Sequence, residues 1–252
     1  YGYNNRFHQV NISLSIQSYS NEIRVIDSMP IPVCEFGRAH FSKCFKGEAS
    51  YGRCPSKKQI YFGFKFHALT TVDGFLTDYV ITPANVDDRN VVWDLCYKYS
   101  SISIIGDKGY VNKRLTPELK GEKGINLLFL KRGNSKENYP KEIRQLIFKV
   151  RRRIETSFSQ LTEQLNLNKV KSKSMLGFIT RTSIKVLAHN ISFLMIDCQY
   201  KCNILCLCCS EDLCRCFISK TLARSIIYYI YYNIKLILSY SRKIKSFRIK
   251  LS

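Results

Sequence analysis

Apolar positions follow two rhythms along this chain. From residue 22 to residue 132 they come in short runs and alternations, which predict strands. "EIRVID" (22–27) predicts a short strand ending on Asp27. "KQIYFGFKFHALTTVDGFLTDYVITPAN" (58–85) predicts a hairpin with aromatic and β-branched arms and "VDG" (72–74) as its turn. Ile102, Ile104 and Ile105 predict a buried strand ending at Asp107, and "INLLFLKR" (125–132) predicts another. Helical spacing separates them. "DDRNVVWDLCYKY" (87–99) has an acidic start suited to an N-cap, then Val91, Val92, Leu95 and Cys96 on one face. "VNKRLTPELKG" (111–121) reads as a helix interrupted by Pro117. The longest run, from Pro140 to about Leu167, sets Ile143, Leu146, Ile147, Val150, Ile154, Phe158, Leu161 and Leu165 at three- and four-residue steps. Pro140 suits its first helical position. A last helix is expected over 177–196. This order predicts a mixed α/β sheet with helices packed on it.

Composition divides the chain. All 12 Gly and 6 Pro lie in residues 1–196, as punctuation between periodic segments. Residues 200–252 have neither, and their only acids are Glu211 and Asp212. Local signals there do not agree on a fold, and the segment resembles AT-rich DNA translated out of frame. Seven of the 11 cysteines crowd into 198–216, with no His following at finger spacing, so reduced thiols are expected rather than zinc. The opening residues do not read as a secretory signal, and none is expected. The apolar run at 226–238 is short for a membrane span and carries Lys235.

Charge narrows the partner. Lys+Arg number 40 against 19 Asp+Glu, a formal +21, which predicts a polyanion and nucleic acid before an anionic membrane. Against that background three acids stand apart. Asp27 and Asp107 each end a predicted strand, where ligands of α/β sheets bind. Glu155, in "VRRRIETSFSQL", sits one residue past Ile154, about 100° around the helix and at the edge of its buried stripe. Together the three would suit Mg²⁺ or Mn²⁺, and two such ions can activate water and stabilise a leaving 3′ oxygen. Lys108, Lys131, Arg132, Arg151, Arg152 and Arg153 supply positive surroundings. Each acid also has a plainer role: a strand-end Asp caps turns, and Glu155 would pair with Arg151 four residues away. Asp73 reads as a turn residue, Asp87 or Asp88 as a cap, and His67 as packing on an apolar hairpin arm.

Four stretches in order carry a resemblance: "VIDSMPIPVC" (25–34), "FKGEASYGRCPSKKQIYFGFKFHALTTVDGFLTDYVITPANVDD" (45–88), "IIGDKGY" (104–110) and "RRRIETSFSQL" (151–161). Over residues 25–196 the chain resembles bacterial insertion-sequence transposases with a DDE triad, closest to the IS982 family. Glu155 follows Asp107 by 155 − 107 = 48 residues, in line with a compact catalytic core. The resemblance implies an RNase H-like mixed sheet with flanking helices. It implies Asp27, Asp107 and Glu155 as catalytic metal ligands for two Mg²⁺ (or Mn²⁺) ions. The substrate would be double-stranded DNA, at terminal inverted repeats and at the target. Strand cleavage and strand transfer would be carried out by a homo-oligomer in the bacterial cytoplasm, at the nucleoid. Lys108 and Arg151–Arg153 match basic positions of those motifs and are expected to hold phosphates. Residues 1–24 are expected to be the remnant of a longer DNA-end-binding segment, and 197–252 to lie outside the evolved domain. A non-catalytic basic DNA-binding remnant and a general RNase H-like nuclease are the alternatives.

Overall fold

The computed structural model describes residues 22–54, 58–110, 114–129 and 139–206. Its centre is a six-stranded sheet in the order β2–β3–β1–β5–β6, with β4 also paired to β3. The strands are β1 (Ile23–Glu35), β2 (Ser50–Cys54), β3 (Gln59–Thr71), β4 (Leu76–Pro83), β5 (Ser103–Gly106) and β6 (Asn126–Phe129). The helices are α1 (Phe36–Ala39), α2 (Asp88–Cys96), α3 (Leu115–Lys123), α4 (Lys141–Glu163) and α5 (Met175–Cys206). Strands β1 and β3 are antiparallel, whereas β1, β5 and β6 run parallel. This is the mixed α/β sheet with flanking helices expected of an RNase H-like domain.

Strict alternation along β1 assigns the two faces. Val25 joins a core with Phe64, Phe66, Ile154, Phe158 and Phe178, on the side of α4 and α5. Ile26, one residue on, joins Leu69, Val92, Leu95, Ile104 and Leu119, on the side of α2 and α3. The predicted hairpin is β3–β4. Gly74 at φ +103 closes its turn, where the Thr71 carbonyl accepts from the Gly74 N–H. Polar side chains of the long helices grip that turn. Ser157 donates to the Gly74 carbonyl at 2.7 Å, and the Asn190 amide both donates to and accepts from the Leu76 backbone.

Several boundaries differ from expectation, each for a physical reason. The first strand continues eight residues past Asp27, through Pro30 and Pro32, to Glu35. Its β5 partner covers only Ile23–Val25, so both prolines fall where one edge of β1 is unpaired among the described residues. A missing N–H costs nothing on such an edge. Pro117 does not interrupt α3, because the helix starts at Leu115 and the proline falls among its first N–H groups, which have no intrahelical partner. Pro140 is the N-cap of α4 rather than its first helical residue. Helix α4 is about 35 Å long; Ile143 and Leu146 near its start are exposed, while Ile147 packs on Ile105 of β5 and Ile154 and Leu161 are fully buried. Strand β2 was not expected: "SYGRC" is short and half polar. It forms because Gly52 and Cys54 turn inward, and a Cβ at Gly52 would sit 2.7 Å from that of Ala84.

The first compact unit runs to Asn190. The second begins at Ile191, and its described part is the helical stretch 191–206 of α5. Most of the unusual tail and the segment before residue 22 lie outside the described residues. Cys34, Cys44, Cys54 and Cys96 are free thiols. No described helix is long and apolar enough to cross a membrane, and the 226–238 run is not among the described residues.

Candidate active site

The parallel ladder between β1 and β5 ends at the pair Val25 and Ile105. Asp27 and Asp107 each stand two residues beyond that pair, on the α4 side of the sheet. Asp27 is thus mid-strand by its own hydrogen bonding and strand-end by that of its neighbour. Arg151, from α4, reaches down between them. One of its terminal nitrogens lies 3.6 Å from Asp27 Oδ2 and the other 3.5 Å from Asp107 Oδ1. The expected surface pairing of Arg151 with Glu155 gives way to this bridge. Glu155 stands one helical turn further along α4, on its exposed side.

The electrostatics are those of a buried carboxyl with two other carboxylates near it. Burial pushes the Asp27 carboxyl up to about 6, and the charges of Asp107 and Glu155 push in the same direction. The Ser28 N–H, donating to Asp27 Oδ1 at 2.8 Å, and the Arg151 guanidinium pull the other way without prevailing. Desolvation penalises the anion more than one N–H and one shared cation favour it. As the side chains stand, no group of three or more His, Cys, Asp or Glu among the described residues is placed to hold a metal ion. Of the three expected site acids, Asp27 and Asp107 come together around Arg151. Glu155 contributes charge from the exposed side of α4 but does not join them. Arg151, expected to hold phosphates, is engaged here with both aspartates.

Of the other basic residues, Arg152 and Arg153 are exposed on α4. Lys108 opens the short 3₁₀ helix Lys108–Tyr110 directly after Asp107. The Lys108 side chain, Lys131 and Arg132 lie outside the described set. Gly106 is needed for packing: a Cβ there would meet Ile26 and Phe129 at 2.8 Å.

The opposite face at the same end of the sheet holds a polar cluster that the sequence did not signal. Ser28 Oγ donates to Asp88 Oδ2 at 3.3 Å, and Lys65 Nζ donates to Asp88 Oδ1 at 2.8 Å and to the Val86 carbonyl at 2.9 Å. His67 is buried, with Nε2 at 2.9 Å from Thr82 Oγ1, and burial lowers its pKa to about 4. His67 packs as expected and is neutral. Tyr110 is buried beside the cluster, its phenol raised well above the usual range by burial and by the Asp88 and Asp27 charges. Only the adjacency of Ser28 to Asp27 could have pointed here, since Lys65 and Asp88 lie 23 residues apart. Of the two candidate caps, Asp87 caps α2, accepting from the Arg89 N–H, and Asp88 is left for the cluster.

The sheet and its paired aspartates define a domain of the RNase H-like class. The chain matches the transposase DDE domain over residues 17–175, well over half its length, and belongs to that family. It thus carries the domain of a transposase, an enzyme class that acts on DNA. No curated protein matches the chain, and no solved structure does.

Proposed function

We propose that this chain catalyses divalent-metal-dependent cleavage and strand transfer at the ends of an insertion sequence of the IS982 type, with Asp27, Asp107 and Glu155 as the catalytic carboxylates. One observation carries the proposal. Two aspartates at the end of parallel strands share a single guanidinium, and Asp27 is still pushed to about 6. Three carboxylates, Asp27, Asp107 and Glu155, lie close enough to act on one another. Their all-oxygen, anionic chemistry suits Mg²⁺ or Mn²⁺. Asp27, Asp107 and Glu155 would hold two such ions, which supply an activated water and stabilise the departing 3′ oxygen.

The protein's own residues then have separate tasks. Strands β1 and β5 fix the two aspartates rigidly. The Ser28 N–H orients the Asp27 carboxylate. Arg151, released from the aspartates once a cation takes its place, becomes available to a DNA phosphate. The exposed Arg152 and Arg153, with Lys108, Lys131 and Arg132, hold the backbone on either side. Water cleaves first, and the freed 3′ hydroxyl then attacks target DNA.

The test is nicking of supercoiled plasmid by the purified chain with Mg²⁺ or Mn²⁺. Cutting that disappears in Asp107→Asn is expected. A chain that binds DNA but never cuts is the non-catalytic remnant, and unchanged cutting by Asp107→Asn removes the assigned site. Preference for insertion-sequence ends over random DNA distinguishes a transposase from a general nuclease.

A further inference from the structure

Between β1 and β3 the chain inserts residues 36–58, which the catalytic cluster does not use. The insertion brings six Lys/Arg and a single acid, Glu48. It also brings aromatic residues to the surface. Phe36 is 57% exposed, Phe41 83% and Tyr51 47%, with Ile60 of β3 at 51%. Three rings are locked together. Phe36 and Tyr51 meet edge to face with centroids 5.6 Å apart, and Tyr51 and Phe62 lie 5.2 Å apart across the β2–β3 ladder. Exposed Arg53 and Ile60 form the next cross-strand pair on the same face. Arg38 is exposed on the helix that carries Phe36.

Exposed rings that contact one another and stand among arginines are out of place on a simple solvated face. We propose that the Phe36–Tyr51–Phe62 surface is a stacking platform for unpaired bases of a DNA strand, with Arg53 and Arg38 on its phosphates. Charge selects the occupant. A second copy of this chain would bring another basic segment from a +21 protein, whereas a nucleic-acid strand complements it. Ring chemistry selects the form of the strand, because a duplex hides the base faces that aromatic side chains stack against and a single strand presents them. Position agrees. Phe62 is six residues from Ala68, the cross-strand partner of Asp27, so the platform lies about 20 Å along β3 from the carboxylates, on the same face. The inference rests on the DNA chemistry proposed above only for the origin of the unpaired strand.

The test is fluorescence anisotropy of the full chain with a labelled oligothymidine strand and with a labelled duplex of equal phosphate count. Tyr51→Ala is expected to weaken single-strand binding on the order of tenfold, duplex binding by less than about twofold, and Tyr51→Phe neither. Phe36→Ala, a change at a solvent-exposed ring off the sheet, is expected to reproduce the single-strand loss. Arg53→Gln is expected to weaken both substrates alike. The platform is overturned if Tyr51→Ala and Phe36→Ala leave single-strand affinity unchanged or reduce both substrates equally. It is also overturned if sedimentation shows that Tyr51→Ala dissociates a dimer, which makes the surface a self-contact. Plasmid nicking separates the two readings. A chain that cuts through Asp107 but stacks no bases loses only the platform.

Discussion

Asp27 and Ser28 are neighbours on one strand and face different chemistry. Asp27 looks toward α4, where Arg151 bridges it to Asp107 and the Glu155 charge lies near. Ser28 looks toward α2, where Lys65, Asp88 and His67 form a cluster in which the charges are matched and the imidazole is neutral. A strand turns successive side chains to opposite faces, so one sheet end can carry a reactive face and a supporting face with no sequence between them. On the supporting face Asp88 is paired with Lys65 and Ser28. On the reactive face burial and two neighbouring carboxylates raise Asp27.

The sharpest break in that comparison is on the reactive face. Asp27→Asn is expected to cut plasmid nicking at least about a hundredfold, a few kcal/mol of transition-state stabilisation, without unfolding the chain. Next comes pH, because the two faces titrate in opposite senses. Asp27 is raised from 3.8 to about 6, so the folded state holds a proton that the unfolded state has released. Its contribution makes the metal-free protein less stable as pH rises through that window, by up to about 3 kcal/mol. His67 is lowered from 6.5 to about 4, so its contribution is fully present above 6.5 and is lost as pH falls toward 4, by a similar amount. Urea melts in chelator between pH 4 and 7 should therefore show a shallow wild-type profile. Asp27→Asn should unmask the fall toward acid, and His67→Gln the fall toward neutrality. Parallel profiles for all three proteins would refute the assignment of faces. Saturating Mg²⁺ should remove the Asp27 contribution and leave that of His67.

Gly106→Ala comes next, at about 1–3 kcal/mol of stability, because its Cβ would press on Ile26 and Phe129 beneath the supporting face. A thermal melt measures it, and the loss should appear with or without metal. The smallest effect is Asp87→Ala, about 1 kcal/mol from the lost cap of α2, with nicking unchanged.

Much of the fold could be read from local pattern. The β3–β4 hairpin with its Gly74 turn, the capped α2 with Val91, Val92, Leu95 and Cys96 buried, and the long α4 all follow from spacing that each segment carries within itself. Asp27 and Asp107 were legible because each closes an apolar run, and both reach the same sheet end. Pairing was not legible. The length of β1 through two prolines depends on where β5 stops, and β2 exists because Ala84 and Tyr61 accept Gly52 and Cys54 against them. The exposed Ile143 and Leu146 have helical spacing as good as that of Ile154, yet the packed structure leaves them exposed while Ile147 beside them is buried against Ile105.

The sequence by itself determined most of the strands and helices, the strong positive charge and the identity of the candidate carboxylates, because these reside in periodicity and side-chain type; it did not determine β2 or the full length of β1. Only the tertiary structure decided that Arg151 bridges Asp27 and Asp107 rather than pairing with Glu155. It alone brought Lys65 to Asp88 across 23 residues and set Phe36, Tyr51 and Phe62 ring to ring on the surface. Partner choice among charges and rings depends on distances that strand register and helix docking create, and no stretch of sequence contains them.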